Sequence, residues 1–204
     1  LNPIEIVDTY GVDQLRYYLM KEVSHGSDGS ISLRNLENCI NSDLANNYGN
    51  LCQRVISFSE KNTNLLVPQK DKFIEEDIKV LDKFLSNYAQ LIHFIDDQNI
   101  NSYINFIVNQ LFAANKYFND QEPWKKKNDI KRLNTIVYVS LELIRKITIM
   151  LYPIIPGTSI KVLKIFGINE NEINFKSIVD NNFLKTNNKI NKLEILFKKI
   201  INND

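Results

Sequence analysis

The residues best suited to chemistry lie in one segment, FNDQEPWKKKN, at positions 118–128. It holds the single tryptophan, Trp124, which follows a proline and is followed by Lys125, Lys126 and Lys127. A large aromatic face can stack an unpaired base, and neighbouring cations can meet its phosphates. The segment is therefore a candidate site for single-stranded nucleic acid. A lone tryptophan at a helix junction is, however, more often a packing residue that closes the end of a bundle.

A second candidate group lies on one face of a predicted helix. Asn46, Asn50 and Arg54 are four residues apart, about 6 Å per step along a helix axis, so they share a side. Amide and guanidinium groups offer paired, planar hydrogen-bonding geometry that suits the edges of bases. Asp43 and Asn47 flank them, and we expect this whole set opposite the apolar stripe. An ordinary solvated helix face in an asparagine-rich chain has the same pattern.

Signatures of enzymatic chemistry are absent from these 204 residues. There is no glycine-rich phosphate loop, no GxSxG elbow and no HExxH motif. Cys39 and Cys52 form no CxxC pair, so no zinc site is expected. Because one helical pattern holds both cysteines too far apart to bridge, we expect free thiols in a reducing compartment. The acidic clusters at 75–77 and 96–97 are interpreted as solvated helix ends.

The charge and hydropathy pattern excludes two broad classes. A formal net charge of +1 gives no general basic field, so a nucleic-acid partner would need a local site. The longest apolar stretch, 136–155, is interrupted by Glu142, Arg145 and Lys146, and falls short of the roughly 20 apolar residues that span a membrane. We therefore expect a soluble, cytoplasmic protein with no membrane partner.

Helical periodicity recurs throughout, and glycine and proline are scarce, which predicts an all-α antiparallel helix bundle. Asn2-Pro3 begins a first short helix that Gly11 ends, and Asp13 is predicted to cap the next one. The polar, glycine-rich loop from Ser24 to Ser30 is predicted to be the main organisational boundary.

Five longer amphipathic helices are predicted after that loop. The first is capped by Ser30 or Ser32, and the others span 77–94, 101–118, 129–151 and 156–166. The apolar stripe of the first helix is predicted at Ile40, Leu44, Leu51, Val55 and Phe58. That of the second is predicted at Ile78, Leu81, Leu85, Ala89 and Ile92. The tail from Asn187 has both a helical and an extended interpretation.

Several motifs in this order resemble the methionyl-tRNA synthetase family. NPIEIVDTYGVDQLRYYLM followed by GSDGSIS resembles the stretch after that family's KMSKS signature. INSDLANNYGNLCQRV resembles the first long helix of its anticodon-binding domain, FNDQEPWK its tryptophan segment and LYPIIPGTSIKVLKIFGI its late helix. The resemblance runs from Asn2 to about Gly167, and the tail NNKINKLEILFKKI is similar more loosely, with Leu193 and Lys198 in place of prolines.

The resemblance implies a helical-bundle domain that binds the CAU anticodon of methionine tRNAs. Trp124 then corresponds to the base-stacking tryptophan, and Asn50 and Arg54 correspond to the asparagine and arginine that contact anticodon bases. Asn46 is added by its place on the helix alone. The three lysines after Trp124 are added as candidate phosphate contacts.

The resemblance also implies how the chain is organised. Residues 1–29 would be the C-terminal end of the catalytic half, and residues 30–204 the anticodon-binding bundle, with a tail from about 168 packing back on it. The family's HIGH and KMSKS signatures and its zinc-binding cysteines are missing. We therefore expect this chain to be part of a longer enzyme that uses ATP and methionine. This portion alone is expected to bind no cofactor and to have no catalytic activity. Its expected partners are tRNA and the enzyme's own catalytic domain.

Two other interpretations remain open. One is an all-α protein-interaction or scaffold domain, which has no reason to carry the end of a catalytic domain before a Gly/Ser loop. The other is the helical anticodon domain of a related class I synthetase. The FNDQEPWK and NNYGNLCQR segments together argue against it, because they resemble the methionine-specific family.

Overall fold

A computed structural model describes residues 2–22 and 31–201, where helices joined by connecting loops confirm the predicted all-α antiparallel bundle. The helices are α1 (Pro3–Tyr10), α2 (Val12–Glu22), α3 (Leu33–Cys39), a π-helix (Ile40–Gly49), α4 (Asn50–Asn62), α5 (Glu75–Ser86), α6 (Tyr88–Asp96), α7 (Ile100–Gln121), α8 (Ile130–Leu151) and α9 (Pro156–Ile165). Short 3-10 turns span Pro123–Lys125, Glu170–Glu172 and Phe175–Val179. The boundary predicted at Ser24–Ser30 lies outside the described residues.

Helix α8 is the centre of the bundle. All residues from Thr135 to Leu151 are buried, and α4, α5, α7 and α9 pack around them. The side chain of Asp129 caps the helix by accepting from the backbone N–H of Arg132 (3.0 Å). The predicted helices at 101–118, 129–151 and 156–166 agree with α7, α8 and α9. Of the helices that the structure describes, none is both long and apolar enough to cross a bilayer.

The start of the chain folds as predicted at α1 and differently at α2. Asn2 caps α1 with its side chain, and Gly11 ends it at a φ of +105°. Asp13, predicted to cap α2, lies inside that helix and is buried. Its Oδ2 accepts from the backbone N–H (2.6 Å) and the hydroxyl (2.7 Å) of Thr158. The prediction was wrong because this carboxylate caps the distant N-terminus of α9 instead.

The long helix begins at Ser32, whose side chain accepts from the N–H of Asn35 (3.1 Å), as predicted. Its middle third is π-helical, which the sequence did not predict. The N–H of Asn50 bonds to the carbonyl of Ala45, five residues back rather than four. Residues four apart therefore do not stack directly above one another between positions 40 and 49.

The polar face expected on this helix is partly wrong as a consequence. Asp43 and Asn47, expected on the solvated side, are both buried. Asp43 accepts from the Tyr17 hydroxyl (2.9 Å) and the Lys21 ammonium (2.7 Å), and Asn47 accepts from Asn115 (2.8 Å). The wider π turn and the packing of α2 and α7 on this side bring both residues into the core.

The apolar stripe of the long helix is confirmed at Ile40, Leu44, Leu51 and Val55, whereas Phe58 is half-buried. Cys39 and Cys52 are buried on the same helix as free thiols. Burial raises the pKa of Cys39 to about 12, so this thiol stays protonated at neutral pH.

The helix predicted over 77–94 is two helices, α5 and α6, separated at Asn87, whose amide donates to the carbonyl of Lys83 (2.8 Å). Its predicted stripe is confirmed at Leu81, is half-buried at Ile92 and is wrong at the other three positions. Ile78 and Leu85 are 45% and 57% exposed, and Ala89 is exposed. The core face is instead formed by Asp77, Leu81, Phe84 and Leu91. Because the charged residue Asp77 lies on the core face, a search for apolar residues alone placed the stripe on the wrong side of the helix.

Asp77 is a second correction, because it was expected at a solvated helix end. It is fully buried, and its two oxygens accept from Arg132 Nη1 (2.7 Å) and Nη2 (2.9 Å). The Tyr117 hydroxyl donates to the same carboxylate (2.6 Å), and burial together with this hydrogen bond raises the pKa of Tyr117. The carboxylate thus joins α5, α7 and α8, while Glu75, Glu76 and the 96–97 pair are exposed as predicted.

Glu142, Arg145 and Lys146, which interrupt the apolar run of α8, are all fully buried. Arg145 Nε pairs with Glu142 Oε2 at 2.7 Å. The three charged side chains also form hydrogen bonds with backbone groups of residues 177–184. Arg145 donates to the carbonyls of Ser177 and Asp180, Lys146 donates to the carbonyl of Ile178, and Glu142 accepts from the N–H of Leu184. Desolvation, with repulsion from Arg145, lowers the pKa of Lys146 to about 8.

The tail is extended and runs antiparallel to the long helix. The carbonyl of Leu65 accepts from the N–H of Ile190, and Val67 both donates to and accepts from the backbone of residues 187–188. Further along, Lys192 pairs with Glu60. Phe197 then packs on Tyr48, with ring centroids 6.3 Å apart. The tail therefore lies against the long helix from its C-terminal end to its π-helical middle.

We predict that Asp77→Ala lowers the free energy of unfolding by about 3 kcal/mol or more, because it leaves the Arg132 guanidinium without its buried partner. Urea unfolding measures this change. The matched control is Glu76→Ala, which removes an exposed carboxylate from the next position and should change stability by less than about 0.5 kcal/mol. Equal effects of the two substitutions would refute a special role for Asp77.

We predict that wild type gains stability relative to Lys146→Met as the pH rises from 8 to 10. Between about pH 8, where folded Lys146 loses its proton, and its ordinary pKa of 10.5, only the unfolded chain keeps that proton. The difference should therefore grow with pH, by at most about 1.4 kcal/mol per pH unit. Urea unfolding of both proteins measures it, since the buried tyrosines and cysteines contribute equally to each. A pH-independent difference would contradict the lowered pKa.

Candidate nucleic-acid interface

The turn between α7 and α8 presents Trp124 to solvent. Glu122 ends α7 in the left-handed region (φ +45°), and buried Pro123 starts the 3-10 turn that carries the tryptophan. The indole lies edge-on to Phe118, with centroids 6.0 Å apart and planes at 69°. Trp124 is 41% exposed, so the ring is anchored on one side and open on another. This exposure suits a stacking platform better than a core residue.

Arg54 lies beside that platform. Its guanidinium carbon is 5.4 Å from the centre of the Phe118 ring, and its Nη2 donates to Asn119 Oδ1 (2.6 Å). Arg54, Phe58, Phe118 and Trp124 line an open groove of about 230 Å³, which we call the tryptophan groove. The structure therefore brings an aromatic face and a planar hydrogen-bond donor into one site, although they are 70 residues apart in sequence.

Asn46 and Asn50 are exposed, as predicted, but they line a different groove. It has a volume of about 400 Å³ and lies between the π-helix and residues 195–199, and we call it the tail groove. Asn50 precedes Arg54 by one turn of α4, about 6 Å along the axis. The two grooves therefore lie along one helix, with Asn46 and Asn50 on the tail side.

The three lysines after Trp124 do not form one cationic surface. Lys125 pairs with Glu122 at 2.7 Å, and both side chains are largely exposed. Lys126 is half-buried and Lys127 is exposed. Exposed ion pairs of this kind stabilise a protein by less than about 1 kcal/mol. A phosphate can therefore compete for Lys125 at little cost.

Sequence reasoning missed three contributors to these grooves. Phe118 was predicted only as the last residue of the helix over 101–118, yet its ring contacts both Trp124 and Arg54. Asn119, which accepts a hydrogen bond from the Arg54 guanidinium, could not be distinguished by sequence from the many other asparagines of the chain. The tail was not expected beside Asn46, because its conformation was undecided. The one available signal was the position of Phe118 in the last turn before Glu122-Pro123.

The arrangement supports binding rather than covalent chemistry. It offers an open π-face and hydrogen-bond donors in fixed planes, which is what stacking and edge recognition of unpaired bases require. In the part of the chain that the structure describes, no three His, Cys, Asp or Glu side chains are grouped so that they could hold a metal ion.

Comparison with known proteins identifies relatives over the whole chain. Residues 1–56 match the family model described as tRNA synthetases class I (M), and residues 67–204 match the anticodon binding domain of methionyl tRNA ligase. The chain is 39% identical to methionine–tRNA ligase of Brucella suis biovar 1 over 180 residues, covering 88% of this chain and 35% of that protein. It is 38% identical to that of Rickettsia conorii over 206 residues, covering 98% and 40%.

A solved structure gives the same result. The free-state methionyl-tRNA synthetase of Mycobacterium tuberculosis superimposes with a TM-score of 0.91 at 30% identity, covering 99% of this chain and 41% of that one. A crystal structure of the same protein bound by methionyl-adenylate superimposes with a TM-score of 0.90 at 30% identity, covering 97% of this chain and 40% of that one. The chain thus spans about two fifths of the length of the relatives that it matches over its full extent.

We predict that Trp124→Ala leaves the bundle folded, whereas Phe118→Ala lowers the free energy of unfolding by about 3–5 kcal/mol. Phe118 is 2% exposed and packs edge-on against Phe58 as well as Trp124, so its loss leaves a cavity. Circular dichroism and urea unfolding compare the two variants. If Trp124→Ala unfolds the chain, the indole is a structural residue and not a platform.

Proposed function

The chain belongs to the methionyl-tRNA synthetase family, and from this we propose that it binds the anticodon stem-loop of methionine tRNAs and recognises CAU. The observation that carries the proposal is the exposed ring of Trp124, held in one groove with the guanidinium of Arg54. The whole protein would be a cytoplasmic methionine–tRNA ligase that joins methionine to tRNA with ATP. ATP and methionine would bind to its catalytic domain.

Trp124 would stack an unpaired base of the anticodon loop. Pro123 is buried and limits the backbone before the ring, and Phe118 supports the ring from its edge. A platform that is already held in place loses little entropy when a base stacks on it. Affinity at this position would therefore come mainly from the stacking area.

Arg54 would recognise a base edge. Asn119 takes one of the five N–H donors of the guanidinium, and Phe118 supports its plane. The remaining donors can pair with two acceptors of one base, which a point charge does not do. Asn50, one turn earlier on α4, would present its amide to the next base, and Asn46 would extend the same row.

The other predicted roles are part of the same proposal. Residues 1–29 would be the end of the catalytic half, and residues 30–204 the anticodon-binding bundle. Lys125, Lys126 and Lys127 would contact phosphates near the stacked base. The Asp13–Thr158 hydrogen bonds and those from Arg16 to the carbonyls of Pro153 and Ile154 would transmit the position of the bundle to the catalytic domain.

We predict that the 204-residue chain binds an RNA stem-loop carrying CAU more tightly than one with a scrambled anticodon, and that Trp124→Ala weakens CAU binding by about 1–3 kcal/mol. Fluorescence anisotropy of labelled stem-loops measures both affinities.

The control for the substitution is Phe112→Ala, which removes an exposed aromatic ring of α7 that does not line the tryptophan groove. Its affinity for CAU should equal that of wild type. Equal binding of CAU and scrambled loops by wild type would refute anticodon recognition.

We predict that Arg54→Lys reduces discrimination between CAU and scrambled loops more than it reduces total affinity, because a planar fork becomes a point charge. The same titrations give the ratio of the two affinities. The control is Lys61→Ala, another cation lining the tryptophan groove, whose loss should weaken both RNAs equally. A uniform loss in Arg54→Lys as well would show that Arg54 contributes only charge.

A further inference from the structure

The tail groove combines two kinds of group that bind RNA. Its floor is Ala45 and Gly49, one rim carries the amides of Asn46 and Asn50, and the opposite rim is the tail at 195–199. A Cβ at Gly49 would lie 3.0 Å from the Leu44 carbonyl and 3.5 Å from the Phe197 ring, so the tail is in close contact with the helix. The volume of about 400 Å³ is within the range of ligand-binding clefts.

The tail is fixed on both sides of this rim. Phe197 is buried against Tyr48, and Ile200 exchanges two hydrogen bonds of 2.9 Å with the side chain of Asn41. Lys198 and Lys199 lie between these two anchors and are exposed. Within residues 2–22 and 31–201, neither ammonium is in an ion pair. The backbone that carries these two lysines is therefore fixed beside the two amides, with their ammonium groups open to solvent.

Charge is unevenly distributed between this tail and the rest of the chain. Residues 181–201 contain five lysines and one glutamate, a net charge of +4, whereas the whole chain carries +1 and the remainder therefore −3. The basic strip ends at the tail groove. A polyanion approaching the molecule would therefore be attracted to this strip more strongly than the net charge of the whole chain indicates.

We propose that the tail groove is a second binding site for single-stranded RNA, in which Lys198 and Lys199 contact consecutive phosphates while Asn46 and Asn50 face the bases or riboses. The inference rests on the proposed function, because it gives the RNA on the tryptophan groove a second contact along the same helix. The tail would then act as a clamp on the strand that flanks the bases at Trp124.

The test is the salt dependence of CAU stem-loop binding by the 204-residue chain and by Lys198→Ala/Lys199→Ala. Each single-strand phosphate contact contributes about 0.7 to the slope of log affinity against log salt, so losing two should reduce the slope by about 1.4. The matched control is Lys185→Ala/Lys189→Ala, which removes the same charge from the same tail. Lys189 is nine residues from Lys198, roughly 30 Å of extended chain, and neither control lysine lines the groove.

Support requires a lower slope and weaker binding in Lys198→Ala/Lys199→Ala, wild-type values in the control pair, and unchanged circular dichroism in both. Equal effects of the two pairs would overturn the proposal, because only diffuse attraction would then be acting. Unchanged RNA binding in both would also overturn it and would leave a protein partner as the occupant of the groove. Preference of wild type for CAU is measured in the same titrations, so a failure of the proposed function is seen separately.

Discussion

The structure depends on how α8 satisfies the three charged side chains that it buries. A buried ion without partners costs several kcal/mol, so Glu142, Arg145 and Lys146 require polar groups from elsewhere in the chain. Residues 177–184 provide them with backbone carbonyls and N–H groups, and are themselves satisfied in return. This exchange fixes an irregular segment on the central helix. It also sets the point from which the tail returns along α4.

A second buried ion pair has a comparable effect at the other end of α8. Arg132 binds both oxygens of Asp77 and also donates to Gln121 Oε1 (2.6 Å), in the last residue of α7. One guanidinium therefore ties α5 to the helix ends on either side of the α7–α8 connection. That connection carries Trp124, so the exposed ring projects from a fixed turn and is supported on one edge by Phe118.

The sequence predicted those features that depend on interactions between residues close together in the chain. Caps at Asn2 and Ser32 and the long periodic helices agree with the structure, because each depends on residues a few positions apart. Asp13 and Asp77 were misassigned because their partners, Thr158 and Arg132, are 145 and 55 residues away. The π-helix was not predicted because Ile40 and Leu44, the two stripe residues within it, are four positions apart, a spacing that an ordinary α-helix also gives. The roles of Trp124 and Arg54 in binding stay predictions, supported by their meeting in one groove.

The tail groove has a further consequence for the order in which the molecule becomes complete. Its two walls come from residues about 150 positions apart, and the Asn41–Ile200 hydrogen bonds that fix the tail span 159 positions. Contacts of such long sequence separation form late in folding. During synthesis on the ribosome, the bundle through α9 can pack before residues 195–199 have emerged. A nascent chain would then hold the tryptophan platform already formed while the second wall was still missing, so the two grooves would mature at different times.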